Sequence, residues 1–532
     1  MLRALALLAA ASACSGTATP HGALAPVAPD HRPKLVVLLV LDQWPEWAFE
    51  QKRESLRSGF ARLLAEGEWH VGDYEQAATL TGPDHALLGT GATPAQSGII
   101  ADEWWHRDTR DLLESVHDET GSLSARWLRV AGLGDAIAAA GRGGKAVDVS
   151  LKPRAAILPL GHHGVSIWYD PDAIAWTSLA PLPWLADWNR AQPIEPHLHE
   201  AWTPLDSAHL AELSGVADDQ PGEVGERGFG TTFPHDPQHT VSPGKALSAM
   251  PLGNDLVLDL ATHAIDAEAL GHHAAPDLLV VSLSAHDYVG HGWGQESWEM
   301  WDLELRLDAR LAGFLDALDA KVGAGKWSLV VTGDHGASPM PERSHGGRIT
   351  QGAVLIAANN AASAVLGQGR WIDDAHYPNI YLSAQMLAQP KGERVSAEKH
   401  VMDALLALPG IERVGRTADF EGRCEQRRGD ARALCNTFDP ERSGELYYLL
   451  ASGWILEDED EHTATAHGSL HDYDRLVPVI VLPPGRSPHA PAAAPVPERF
   501  SMTGVAPLLA QWLGVPAPAT LPHAEYSGSA PR

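Results

Sequence analysis

Three apolar runs, far apart in the chain and each followed by an aspartate, constrain the fold more than any other feature. Leu35-Val36-Val37-Leu38-Leu39-Val40-Leu41 runs into Asp42, Leu278-Leu279-Val280-Val281-Ser282-Leu283 leads to Asp287, and Trp327-Ser328-Leu329-Val330-Val331 leads to Asp334. Continuous rather than alternating apolar runs suit strands buried on both faces, which predicts an α/β fold with a largely parallel central sheet flanked by helices. Ligands of such sheets gather beyond the carboxyl ends of the strands, so the three carboxylates are expected on one edge. Histidines accompany two of them, in Asp287-Tyr288-Val289-Gly290-His291 and Asp334-His335-Gly336, and a third stands in His467-Gly468-Ser469 shortly before the apolar run Val477-Pro478-Val479-Ile480-Val481-Leu482. Three Asp and three His suffice for two mixed nitrogen and oxygen sites with open positions, a donor set that Zn2+ favours.

A second stretch supplies a nucleophile. In Ala78-Thr79-Leu80-Thr81-Gly82-Pro83-Asp84-His85, Pro83 suits the first helical position, where its missing N–H would have been unsatisfied anyway. Thr81 then lies where free backbone amides converge, and an anion drawn to that helix end would rest against its hydroxyl. Alone, a Thr before a helix reads as a plain N-cap.

Taken together, these residues resemble the alkaline phosphatase superfamily, in the threonine-nucleophile branch shared by type I phosphodiesterase/nucleotide pyrophosphatases and phosphate-irrepressible bacterial alkaline phosphatases. Thr-Leu-Thr-Gly-Pro-Asp-His with Thr90-Gly91, Ser97-Gly98-Ile99, Asp-Tyr-Val-Gly-His, Gly-Asp-His-Gly, and His-Gly-Ser with Tyr473-Asp474 carry the likeness, which runs from Leu35 to about Leu513. The resemblance implies one zinc held by Asp287, His291 and His467, and another held by Asp42, Asp334 and His335 with Thr81 against it.

Strand-like Lys145-Ala146-Val147-Asp148-Val149-Ser150 delivers Leu151-Lys152-Pro153-Arg154. A phosphomonoester dianion carries one more charged oxygen than a diester, so a site that prefers it needs extra fixed positive charge, and Lys152 beside the forked guanidinium of Arg154 would supply it. The continuation through His162 resembles the monoesterase branch, which makes the expected substrate a phosphate monoester. A phosphodiesterase using the same metals is the rival reading, and a non-catalytic surface lipoprotein a more distant one. A sulfatase is disfavoured, since that branch resembles Cys/Ser-x-Pro-x-Arg at the nucleophile.

At one position the chain departs from the pattern. The family motif resembles Gly-Ile-x-x-Asn, but Gly98-Ile99-Ile100-Ala101 is followed by Asp102. A carboxylate can only accept, so Asp102 facing a phosphate dianion would repel it. Pairing of Asp102 with Lys152 or Arg154 is expected, the alternatives being that it faces another cation or a substrate donor, or that the loop has moved and turns it to solvent.

The metal-site residues span Asp42 to His467, which argues for one large domain (34–520) with insertions near 176–253 and 337–465 rather than several domains in 532 residues. The net charge of -29 argues against nucleic acid or an anionic membrane as partner. Residues 1–13, with Arg3 and an Ala/Leu core, read as a secretory signal, and residues 14–33 as a tether; export to a periplasmic or outer-membrane location is expected. Ala11-Ser12-Ala13-Cys14 fits a cleavage site and also resembles a lipobox without its usual Leu. Cys14 is the odd cysteine, so lipidation is expected there, while Cys424 and Cys435 can pair. The acidic run Glu457 to Glu461 reads as a solvated loop with a rim role left open by its nearness to His467. Residues His162, His163, His197, His199, His235 and His239 receive no ligand role.

Overall fold

The computed structural model describes residues 32–458, 462–485 and 496–521. The expected signal segment, Cys14 and most of the tether lie outside these residues. A nine-stranded sheet organises the chain. Its strands, in chain order, are β1 (Leu35–Leu41), β2 (Glu68–Asp73), β3 (Ala146–Ser150), β4 (Val165–Asp170), β5 (Ala175–Ser178), β6 (Asp277–Leu283), β7 (Trp327–Gly333), β8 (Leu476–Leu482) and β9 (Val496–Ser501). Across the sheet they run β9-β2-β8-β7-β1-β6-β3-β4-β5. The pairs of β7, β1, β6, β3 and β4 are parallel, while β8 is antiparallel to both its neighbours and β5 antiparallel to β4.

The continuous apolar runs have a simple cause. Leu35, Val37, Leu39 and Leu41 enter one core, shared with the helices Pro251–Ala267 and Trp298–Leu318. Val36, Leu38 and Val40 enter the other, shared with the helices Leu133–Ala140 and Val505–Leu513. Side chains alternate across a strand, so a strand covered on both faces must be apolar at every position. Truncating one of these leucines to alanine costs about 2–5 kcal/mol.

Of the two expected insertions, the first begins at the sheet's outermost strand and continues through the helices Pro183–Ala191 and Ser207–Ser214. The second builds a four-stranded sheet, Ile372–Asp374, Asn379–Leu382, Leu446–Leu450 and Ile411–Arg416 in spatial order, with a separate core. Cys424 and Cys435 form a disulfide in this part of the chain.

Candidate active site

The order of the sheet assembles the site. β1 lies between β6 and β7, so Asp42, one residue past β1, and Asp334, one residue past β7, leave neighbouring strand ends. Asp287 comes from the first turn of the helix Ala285–Trp293 that follows β6. Gln43, which the sequence reading passed over, ties them together. Its backbone N–H donates to Asp334 Oδ1 at 3.0 Å and its side-chain amide to Asp287 Oδ1 at 2.8 Å. Gln43 has φ 62°, a left-handed conformation that costs a non-glycine residue energy and is sustained here by these buried bonds. A lone Gln after a strand carries no motif, so no sequence signal identified it.

The helix bearing the expected nucleophile starts at Thr81 and ends at Thr90, with Gly91 left-handed just past it. It therefore begins two residues earlier than Pro83 suggested, because any of the first four amides of a helix lacks a partner and tolerates proline. Thr81 makes no capping bond; Leu80 is the cap residue, and the buried Thr81 Oγ1 stands 3.4 Å from His335 Nε2. His85, one turn on, donates from Nδ1 to Thr81 O at 2.9 Å and lies 3.2 Å from Asp334 Oδ2, so it braces both Thr81 and Asp334.

The metal-ligand expectations can be judged on the donors themselves. Asp287 Oδ1 lies 3.1 Å from His291 Nε2 and 3.9 Å from His467 Nε2. Asp42 Oδ1 and Asp334 Oδ2 each lie 3.5 Å from His335 Nε2; both are buried, and Asp42 Oδ1 has no hydrogen-bond partner. Buried carboxylate oxygens converging on imidazole nitrogens, one of them unpaired, fit a cation. Asp42, Asp287 and His335 also form a compact group, so Asp287 adjoins both clusters. Each histidine donates Nδ1–H to a backbone carbonyl: His291 to Thr465 at 2.9 Å, His335 to Gly336 at 3.0 Å and His467 to Thr79 at 2.9 Å. That fixes the tautomer and leaves each Nε2 lone pair directed at the cluster.

Lys152, two residues past β3 and at the N-cap of the short helix Pro153–Ile157, enters the carboxylate cluster, with Nζ 2.7 Å from Asp42 Oδ2 and 2.6 Å from Asp287 Oδ2. It does not stand free beside Arg154, because a buried ammonium is held by the nearest buried carboxylates. Burial alone would raise Asp287, yet Lys152 and His291 together hold it well below the usual carboxylate range. Burial and then Asp334 push Asp42 up to about 6 against the pull of Lys152. Arg154 pairs with Asp102, Nη2 to Oδ2 at 3.1 Å, while Asp102 Oδ1 accepts from Gly82 N at 2.6 Å. Of the two partners the sequence allowed, Arg154 is the one found. Burial raises the Asp102 carboxyl, but Arg154 and the Gly82 amide outweigh it and keep it below its ordinary value.

A cavity of about 350 Å³ opens from His291 and His467 past Arg154, Asp102, Glu114 and His376. Glu457 and Asp458 also line it, which corrects the solvated-loop reading: Glu457 is buried and bound to Arg348 Nε at 2.9 Å. His162 and His163 instead hold Asp135, and His235 faces Glu299, all outside the site.

Residues 36–474 match the family described as Type I phosphodiesterase / nucleotide pyrophosphatase, and the chain belongs to that family. Among its relatives are alkaline phosphatase PhoV of Synechococcus elongatus (28% identical, covering 92% of this chain and 91% of that one), and a protein of Myroides odoratus named calcium-transporting ATPase (28% identical, covering 92% and 93%). The crystal structure of alkaline phosphatase PafA superposes with a TM-score of 0.81 at 25% identity, over 92% of this chain and 98% of that chain. Murine ectonucleotide pyrophosphatase / phosphodiesterase 5 shares the fold, with a TM-score of 0.54 at 14% identity over 92% and 97% of the two chains.

Proposed function

We propose that this protein is a zinc-dependent phosphomonoesterase that works through a phosphothreonine intermediate and releases inorganic phosphate in an exported location. The observation that carries the reading is the buried Thr81 hydroxyl, 3.4 Å from His335 Nε2 at the start of a helix, with the buried Asp42 Oδ1, which has no hydrogen-bond partner, 3.5 Å from the same nitrogen. Two zinc ions, held by Asp287, His291 and His467 and by Asp42, Asp334 and His335, would supply Lewis-acid charge for the nucleophile and the leaving oxygen. Thr81 Oγ attacks phosphorus as its proton departs, the ester oxygen leaves and takes up a proton, and water then cleaves the Thr81–phosphate bond to give phosphate and the free hydroxyl. Gly82 N–H, Arg154 and Lys152 provide fixed positive charge near the transferring group, in a reaction dominated by positioning and charge stabilisation. Alkaline phosphatases of similar sequence and the PafA structure support this class. One relative, of Myroides odoratus, is named a calcium-transporting ATPase; among the described residues of this chain no helix is long and apolar enough to cross a membrane.

The second reading is a phosphodiesterase. It is supported by the family description and by Asp102, whose negative charge beside Arg154 suits a singly charged diester better than a dianion. Turnover of an aryl phosphomonoester, the matching diester and the sulfate ester by zinc-loaded protein decides between them. Faster monoester turnover is expected, and a preference for the diester overturns the proposal.

A further inference from the structure

Asp102 occupies the donors that an incoming phosphoryl group needs. Its Oδ1 accepts from the N–H of Gly82, the residue next to Thr81, at 2.6 Å, and its Oδ2 lies 3.1 Å from Arg154 Nη2. The carboxylate is pressed against the helix start: a Cβ added to Gly82 would come within 3.0 Å of Oδ1 and of Ser115 Oγ. It is also anchored from behind, because Ser115 N donates to the Asp102 carbonyl at 2.7 Å and the hairpin Glu103–His106 with Asp111–Glu114 begins at the next residue. A carboxylate offers no hydrogen to a phosphoryl oxygen, so while it holds both donors it contributes only repulsion toward a dianion.

We propose that Asp102 is a specificity-determining residue, an internal anion that competes with the phosphoryl group for Gly82 N–H and Arg154. The inference rests on Thr81 being the site of phosphoryl transfer. The competition weakens the most highly charged ligands most, so inorganic phosphate binds poorly and leaves readily, and a phosphomonoester loses more affinity to Asp102 than a diester does. Burial pushes the Asp102 carboxyl up, but Arg154 and then Gly82 N–H prevail, which favours the charged form that this competition requires.

The test is the affinity of zinc-loaded protein for inorganic phosphate, measured calorimetrically and as inhibition of turnover, in wild type, Asp102→Asn and Asp102→Ala. Both variants are expected to bind phosphate roughly tenfold or more tightly, the size of effect that a charged hydrogen-bond competitor exerts. KM for an aryl phosphomonoester should fall further than KM for the matching diester, and the thermal midpoint should stay near that of wild type. A merely structural Asp102 would instead lower the midpoint and leave the phosphate affinity unchanged. Unchanged or weaker phosphate binding in either variant overturns the inference. A wild type that turns over only diesters would overturn the proposed function and still leave the calorimetric comparison decisive for Asp102.

Discussion

His335 and His467 stack ring on ring, with centroids 3.6 Å apart and planes 15° from parallel. One belongs to each expected metal cluster, so the two clusters share a wall. Burial first, then the neighbouring imidazoles, pushes His467 down to about 3, and burial also lowers His335. Both rings therefore stay neutral near neutrality, as ligands must.

His467→Ala is expected to reduce bound zinc from about two ions per chain to about one. It removes one nitrogen donor, and it also frees Thr79 O, 2.9 Å from His467 Nδ1 and two residues ahead of Thr81. Elemental analysis of purified protein checks this, and a variant that keeps its full zinc content would refute the ligand role.

Thr81→Ala should reduce phosphomonoester turnover by roughly 10³-fold or more while zinc content holds. Thr81 makes no cap bond, so its loss leaves the helix start intact. Retention of most of the wild-type rate would show that the hydroxyl is not the nucleophile.

Arg154→Ala and Lys152→Ala should separate. Arg154→Ala is expected to slow monoester turnover far more than diester turnover. Lys152→Ala should do the same and also destabilise the fold by about 3–5 kcal/mol in chelated protein, because it strips the counter-charge from two buried carboxylates. Zinc should restore much of that loss. Denaturation with and without chelator, alongside the two substrates, reads both effects, and equal thermal stability of the two chelated variants contradicts the bridging role.

A pH effect is expected away from the site. Glu299 is buried against His235, Oε1 to Nε2 at 2.9 Å. Burial, with Glu223, Asp218 and Asp302 nearby, pushes Glu299 from 4.5 up to about 10, and burial lowers His235 to about 4. The contact is thus a neutral hydrogen bond, with the protonated carboxyl donating to the imidazole, rather than an ion pair. Between about pH 4.5 and 10 the folded chain keeps a Glu299 proton that the unfolded chain releases, which costs stability as pH rises; His235, lowered from 6.5 to about 4, acts in the opposite sense between those two values, so the net loss for the pair falls mainly between about pH 6.5 and 10. Glu299→Gln has no such proton to lose. Its thermal midpoint should fall less than that of wild type between pH 5 and pH 9, and parallel profiles for the two proteins would rule this out.

The readable part of the site was what strand burial dictates. Runs that must be apolar on both faces announce β1, β6 and β7, and a polar residue just past such a run stands out, which is how Asp42 and Asp334 could be found. Asp287 and His291 share a helix face at a spacing of four residues. What escaped is whatever depends on backbone conformation or on distant partners. Gln43 acts through a left-handed turn, and His85 through a carbonyl one turn back. Glu457 is drawn inward by Arg348, which no local pattern relates to it. The destination of Lys152 could not be read either, since a cation chooses among carboxylates by three-dimensional distance.

The central place of β1 sets an order of assembly. The strand nearest the start of the chain is flanked by two strands that lie more than two hundred residues later. His467 follows later still, so a chain emerging residue by residue holds Asp42 long before it has neighbours for it. Such long-range pairing is slow to form. The expected metal-binding pocket is therefore among the last features to close, and a chain cut short before His467 would carry Thr81 and all three expected aspartate ligands without the histidine that completes them.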